Sequence, residues 1–446
     1  MRVFRILVLG VALGVGGTLA EPSYAGMVED TRATAEHGDA AAQYNLGVMY
    51  ANGQGTPKNY AQAISWFRKA ADQGNADAQY NLGLMYAKGR GVPQDYAQAL
   101  AWLRKAADQG NAAAQSLLGA MYAQGWGVPQ DYAQALAWFR KAADQGNADA
   151  QFYLGLMYVQ GQGVPEDYAQ ALTWLRKAAD QGTADAQYYL GLMYAKGLGV
   201  PQDYAQALAW LRKAADQGNA DAQYNLGLMY AKGLGVRQDH AQALAWYRKA
   251  ADQGNADVQY NLGLMYAKGL GVRQDYAQAL AWYRKAADQG NADAQSLLGA
   301  MYIQGQGVSQ DYSQAAAWLR KAADQGNADA QSLLGLMYIQ GWGVPEDYAQ
   351  ALAWYRKAAD QGNANAQLYL GLMYVKGEGL PQDYAQALAW LRKAADQGNA
   401  DARYYTRLNV CRRSRCASGL CPSPRLVSQG RRPRQRYRAI QHRRNV

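Results

Sequence analysis

Ten tryptophans stand 36 residues apart, from Trp66 through Trp102 and Trp138 to Trp390, and ten methionines keep the same interval from Met49 to Met373. Every apolar position therefore recurs with the same neighbours, and such a chain folds as a stack of like units, not around one closed core. Residues 76–110 show the unit. Its first segment runs from Ala76 to Lys88 and its second from Asp95 to Asp108, with Gly89 and Gly91 bracketing the break. Ten units are complete. An eleventh opens at Asp401-Ala402-Arg403-Tyr404-Tyr405 and then loses the pattern.

The first segment reads as a helix, here helix A. Ala78, Leu82, Met85 and Tyr86 fall at i, i+4, i+7 and i+8, one stripe of a 3.6-residue period. Asn75 is placed to cap it. Gly83 in mid-helix costs about 1 kcal/mol of propensity against Ala, and its expected return is the close approach of a neighbouring helix. The second segment reads as helix B. Asp95 caps it and Gln98 completes a capping box. Ala97, Leu100, Ala101 and Leu103 with Trp102 are its expected buried side, and Gly110 its stop. Arg104 and Lys105 lie toward the negative end of its dipole. A helix of this length is marginal alone in water, so the pairs must stack. Ten-fold recurrence also assigns the spaced Trp and Met to core packing, not to a cofactor box.

The motif Ala78-Gln79-Tyr80-Asn81-Leu82-Gly83-Leu84-Met85-Tyr86, then Gly89-x-Gly91-Val92-Pro93-x-Asp95-Tyr96, then Ala99-x-x-Trp102-x-Arg104-Lys105-Ala106-Ala107, resembles the Sel1-like repeat, a relative of the tetratricopeptide repeats. The resemblance covers residues 40–402. It implies an all-α fold, a right-handed α/α superhelical solenoid of about ten 36-residue helix-turn-helix repeats, serving as a scaffold for protein–protein contacts and using no cofactor. Some secreted relatives carry a disulfide in every repeat and have been credited with β-lactam binding or hydrolysis. Residues 26–401 contain no Cys, and that departs from their pattern.

The ends differ from the array. Arg2 and Arg5 precede an apolar run over residues 6–19, and Ser23-Tyr24-Ala25 puts small residues at −3 and −1 of a cleavage site. Residues 1–25 thus read as a secretory signal peptide, too short in its apolar run to span a bilayer. Residues 26–39 are a lead-in, and the expected location is the bacterial periplasm or outside the cell, with no transmembrane segment after cleavage. The whole chain has 45 basic and 35 acidic residues. Residues 402–446 hold 13 Arg and no Lys, Asp or Glu, which leaves the first 401 residues with 32 basic and 35 acidic. The array itself has no electrostatic reason to bind nucleic acid. Residues 403–446 form an Arg-rich tail with all three cysteines, Cys411, Cys416 and Cys421, and no apolar periodicity. It is expected to be disordered, or to arise from a reading-frame change near residue 406.

Differences between units show where one unit can act alone. The residue between the loop glycines varies most, and it supplies Trp126 and Trp342, the two tryptophans off the 36-residue lattice. They are expected to be comparatively exposed on the loop edge, as anchors for a protein or peptide or as stacking platforms for cell-wall glycan. Helix A varies at a second pair, Tyr80-Asn81 and Tyr224-Asn225 against Ser116-Leu117 and Ser296-Leu297. Tyr80, Asn81, Tyr224 and Asn225 are further candidates for partner binding. Chemistry finds less support. His37, His240 and His442 are too far apart for metal-ligand spacing, and Asp77, Asp95 and Asp108 recur in nearly every unit, as capping and solvation require. The segment from Asp144 to Asp149 faintly suggests a calcium loop, but Gly155 stands where the bidentate Glu is needed. No catalytic, metal or cofactor residue is assigned.

Overall fold

The computed structural model describes residues 22–407, and every regular element there is a helix. Helix α1 (Pro22–Glu36) leads in. The repeats follow as α2 (Ala40–Asn52) and α3 (Tyr60–Asp72), α4 (Ala76–Lys88) and α5 (Tyr96–Asp108), α6 (Ala112–Gln124) and α7 (Tyr132–Asp144), and α8 (Ala148–Gln160) and α9 (Tyr168–Asp180). The alternation continues without a break to α21 (Tyr384–Asp396). By packing, the chain divides after Ala222 into two compact units, inside α12 (Ala220–Lys232). Residues 22–222 and residues 223–407 are each an α/α solenoid segment. In both, helix A packs on helix B of its own repeat, and helix B packs on the next helix A. The apolar run at residues 6–19 and the tail beyond 407 lie outside the described residues. Among those described, no helix is long and apolar enough to cross a membrane.

Local chemistry explains each boundary. Asn75 Oδ1 accepts from Ala78 N at 2.8 Å and starts α4. Gly89 ends it in the left-handed region, at φ 64°, a conformation open to Gly at little cost. Asp95 Oδ1 accepts from Gln98 N at 3.0 Å. The expected capping box is only half made, for a physical reason. The Asp95 N–H that Gln98 would have satisfied already donates to Tyr86 O at 3.0 Å, tying the start of helix B to the end of helix A.

The core of each repeat is one stripe from each helix. Ala78 and Leu82 of α4 are fully buried, as are Ala99, Leu103 and Ala106 of α5. Ala97 and Ala101, expected on the buried side of helix B, are instead exposed. The stripe runs through residues 99, 103 and 106, and those two alanines lie on the opposite face. Between the helices sits Gly83. A Cβ there would meet Leu103 Cγ at 2.7 Å and Ala99 O at 3.2 Å, so the glycine sets how closely the helices approach. The lattice tryptophans lie at the margin of the core. Each carries a lysine ammonium on its ring, as Lys105 Nζ does 4.3 Å above Trp102 and Lys69 Nζ 3.9 Å above Trp66, a favourable cation–π contact.

Arginine and glutamine side chains make two of the polar contacts that join successive repeats. A helix-B arginine donates to the hydroxyl of a tyrosine in the next helix A, as Arg104 does to Tyr122 and Arg140 to Tyr158. The other contact is buried. Gln151 of α8 is 4% exposed; its Nε2 donates to Ala143 O of the preceding helix B at 3.1 Å. Its Oε1 accepts from Gln181 Nε2 at 2.7 Å. The amide thus adds a second hydrogen bond to a carbonyl near the end of α7 that also accepts from Gly146 N at 3.0 Å. The same arrangement recurs at Gln79, Gln115 and Gln187. In the eleventh unit Arg403 stands in its place and donates Nε to Ala395 O at 3.1 Å.

Removing that amide tests the inter-repeat bond. Gln151→Leu removes two hydrogen bonds from a buried interface, although Ala143 O still accepts from Gly146 N at 3.0 Å and Gln181 Nε2 still donates to Gly146 O at 3.0 Å. It should lower stability by about 1–3 kcal/mol, read from urea melts followed by helical circular dichroism. A melt that coincides with the parent's would show that water replaces the bond freely.

Candidate functional site

The loop position that varies most has a fixed address in the fold. In three repeats it lies over the tyrosine that opens helix B of the preceding repeat. In the second repeat, Arg90 Cζ is 5.9 Å from the Tyr60 ring centroid. In the third, Trp126 stacks on Tyr96 with centroids 6.0 Å apart and planes 13° apart. In the other unit of the chain, Trp342 stacks on Tyr312 at 5.1 Å and 18°. The next glycine makes this possible. Gly127 has φ 71°, and a Cβ on it would fall 2.7 Å from Tyr96 Cβ, so the loop lies directly on the earlier repeat. Trp126 and Trp342 are consequently half-buried, not exposed as their loop position suggested, because one face of each indole is spent on a tyrosine.

The helix-A candidates divide. Tyr80 is half-buried, and burial pushes its pKa up to about 12, with the Asp149 carboxylate adding to the rise. Asn81 is 4% exposed. Its Nδ2 donates to the Asp77 carbonyl at 3.0 Å, which places it among packing residues and not on a docking surface. Tyr224 is half-buried and lies against Tyr247, with centroids 5.6 Å apart and planes 31° apart; Asn225 is half-buried as well. Tyr224 and Asn225 fall in the unit that begins at Gln223, whereas Tyr80 and Asn81 fall in the first.

Tyr80 and Trp126 line one cavity of about 190 Å³ between α4, α6 and the start of α8. Its apolar wall is Leu84, Ala87, Leu117 and Met121. Lys88, the last residue of α4, also lines it. The Lys88 ammonium nitrogen is buried and has no hydrogen-bond partner among the described residues. Burial first, and then the Arg90 guanidinium, hold its pKa below the usual lysine value. Asp149 is the acidic group on the cavity, and burial raises its pKa. Elsewhere the corresponding Asp accepts from the asparagine that caps the next helix A, as Asp77 does from Asn111 at 2.8 Å and Asp185 from Asn219 at 2.7 Å. For Asp149 that cap is Thr183, which makes no side-chain capping bond.

Sequence comparison between repeats missed Lys88. Its neighbour Trp126 comes from a different position of the following unit, so aligning like positions never sets the two side by side. Six repeats on, around Trp342, the equivalent residues are Gln304 for Lys88, Ser296 for Tyr80 and Asn365 for Asp149. A more open cavity of about 460 Å³ lies in the second unit between Arg320, Asp324, Tyr338, Glu346 and Trp354. It includes none of the expected site residues. Among the described residues, no group of three His, Cys, Asp or Glu side chains is placed to hold a metal ion.

Known proteins match this geometry. The Sel1 repeat model matches ten consecutive segments, from residues 40–75 and 76–111 through to 364–399. A protective antigen present in uropathogenic Escherichia coli strains, with an SLR fold, is similar at 39% identity and a TM-score of 0.59; the match covers 86% of this chain and 90% of that one. A Sel1 repeat protein from Oxalobacter formigenes is 40% identical over 73% of this chain and 92% of its own, with a TM-score of 0.54. Among curated protein sequences, none matches significantly. With ten consecutive matched segments and the paired helices that they form, the chain belongs to the Sel1 repeat family.

Proposed function

We propose that the chain is an exported, non-catalytic scaffold that binds protein or peptide partners in the bacterial envelope or outside the cell. One observation carries this reading. The repeats share their packing, capping and inter-repeat bonds, while the loop position over the helix-B tyrosine is free to vary and twice holds a tryptophan. A half-buried indole fixed by stacking offers a rigid apolar edge, the kind of anchor that dominates partner binding. The basic start and apolar run at residues 1–25 support export.

The test is affinity capture from an envelope fraction of the source organism, run in parallel with the W126A/W342A double variant. Specific partners should be captured by the parent and lost from the variant, with helical content unchanged. Identical captured sets from both proteins would remove the tryptophan edge from the reading. A set dominated by peptidoglycan would replace a protein partner with cell-wall glycan.

A further inference from the structure

The cavity beside Trp126 has a chemical polarity that packing alone does not require. At the Lys88 end an ammonium nitrogen is out of contact with water and unbonded. A buried cation without an acceptor is costly, and Gln304, the equivalent residue in the repeat before Trp342, shows that the fold accommodates an uncharged residue there. Beside the ammonium stand Leu84, Ala87, Leu117, Met121 and the Trp126 indole. Farther along lies Asp149, without the asparagine that holds its counterparts. An occupant of this space needs a negative oxygen, an apolar group next to it and a hydrogen-bond donor beyond.

We propose that this cavity binds the C-terminal residue of a peptide. The Lys88 side chain turns its Nζ into the cavity to pair with the free α-carboxylate, the apolar side chain fills the space against Leu117, Met121 and Trp126, and the peptide N–H groups turn toward Asp149. The size agrees. An apolar cavity of about 150 Å³ holds a benzene ring, so about 190 Å³ takes one leucine-sized or phenylalanine-sized side chain and not a longer segment. The chain end also meets the charge requirement better than an internal Asp or Glu. It carries its carboxylate and its apolar side chain on the same carbon, whereas an acidic side chain brings only its own methylenes to the wall. The occupant is either a free short peptide or the end of a partner protein, because both present this one chemistry. The inference rests on reading this edge as the partner-binding face, but it does not depend on Trp342.

Calorimetric titration of the full chain tests it with three probes: the acetylated tripeptide Ac-Gly-Ala-Leu with a free carboxylate, its C-terminal amide, and 4-methylpentanoate. The free-acid tripeptide should bind saturably, and the amide about ten-fold or more weakly, because a charge-assisted hydrogen bond is lost. Lys88→Met should weaken the acid by a similar factor and leave helical content intact, while Lys88→Arg should restore most of the binding. Asp149→Asn should weaken the tripeptide and leave 4-methylpentanoate unaffected. Equal binding of acid and amide, no effect of Lys88→Met, or no saturable binding of the acid tripeptide would overturn the proposal. Binding of 4-methylpentanoate as tight as that of the tripeptide would overturn the peptide assignment. Tripeptide binding by a protein whose captured partners ignore W126A/W342A would leave the cavity standing and remove the scaffold edge, so the two failures are separable.

Discussion

Gly163→Ala should destabilise the chain by about 3 kcal/mol or more, and Gly146→Ala by only about 1–2 kcal/mol. Both glycines have positive φ, 71° and 90°, so both variants meet the left-handed penalty of an L-residue. Their surroundings differ. A Cβ on Gly146 meets nothing within 4 Å, whereas one on Gly163 lies 2.6 Å from Tyr132 O and 2.8 Å from Tyr132 C. Those are backbone atoms of the preceding repeat, and no rotamer change moves them aside. Relief requires parting the loop from the earlier repeat. Since each repeat is stabilised chiefly by its neighbours, the loss falls on one interface, and the urea transition should broaden or split into two steps. The comparison is made by circular dichroism melts of the parent and both variants. If the two variants lose stability equally, the loop does not press on the tyrosine as the geometry shows.

That pair of glycines marks where the sequence could be read and where it could not. The 36-residue period fixed the helix pairs, the Asn75 and Asp95 caps and the closeness at Gly83, because each depends on residues within one unit and recurs ten times. Contacts between units were less visible. Gln79 and Gln151 are buried polar residues next to an apolar stripe, and their recurrence was a usable signal. Nothing local, however, says that their amides reach the end of the previous helix B. Trp126 was expected at an exposed edge because its loop is polar and glycine-rich. The partner that half-buries it, Tyr96, lies 30 residues earlier in another repeat. Lys88 was harder still. Lysine ends helix A in several units, yet only the second has a tryptophan from the next loop beside it. Its isolation comes from the meeting of two variable positions.

A second large effect is expected at alkaline pH. Burial pushes the Tyr80 hydroxyl up to about 12, and also raises those of Tyr153, Tyr247 and Tyr283. In the unfolded chain these groups return to the ordinary tyrosine value of about 10. Below that value both states keep the proton, and the contribution to stability is fully present. As pH rises from about 10 toward 12, the unfolded chain releases protons that the folded chain retains, so stability falls. For Tyr80 alone the loss amounts to no more than about 3 kcal/mol once its folded pKa is passed. The buried tyrosines of both units act in the same direction, so helicity should be lost cooperatively above pH of about 10. Tyrosinate absorbance should rise in two stages, exposed hydroxyls first and the buried ones together with the loss of helical circular dichroism. Tyr80→Phe should move the midpoint to higher pH, because it removes one proton that unfolding would release. Titration of all tyrosines in a single step with helicity intact would show that the hydroxyls on this packing surface are not shielded from water.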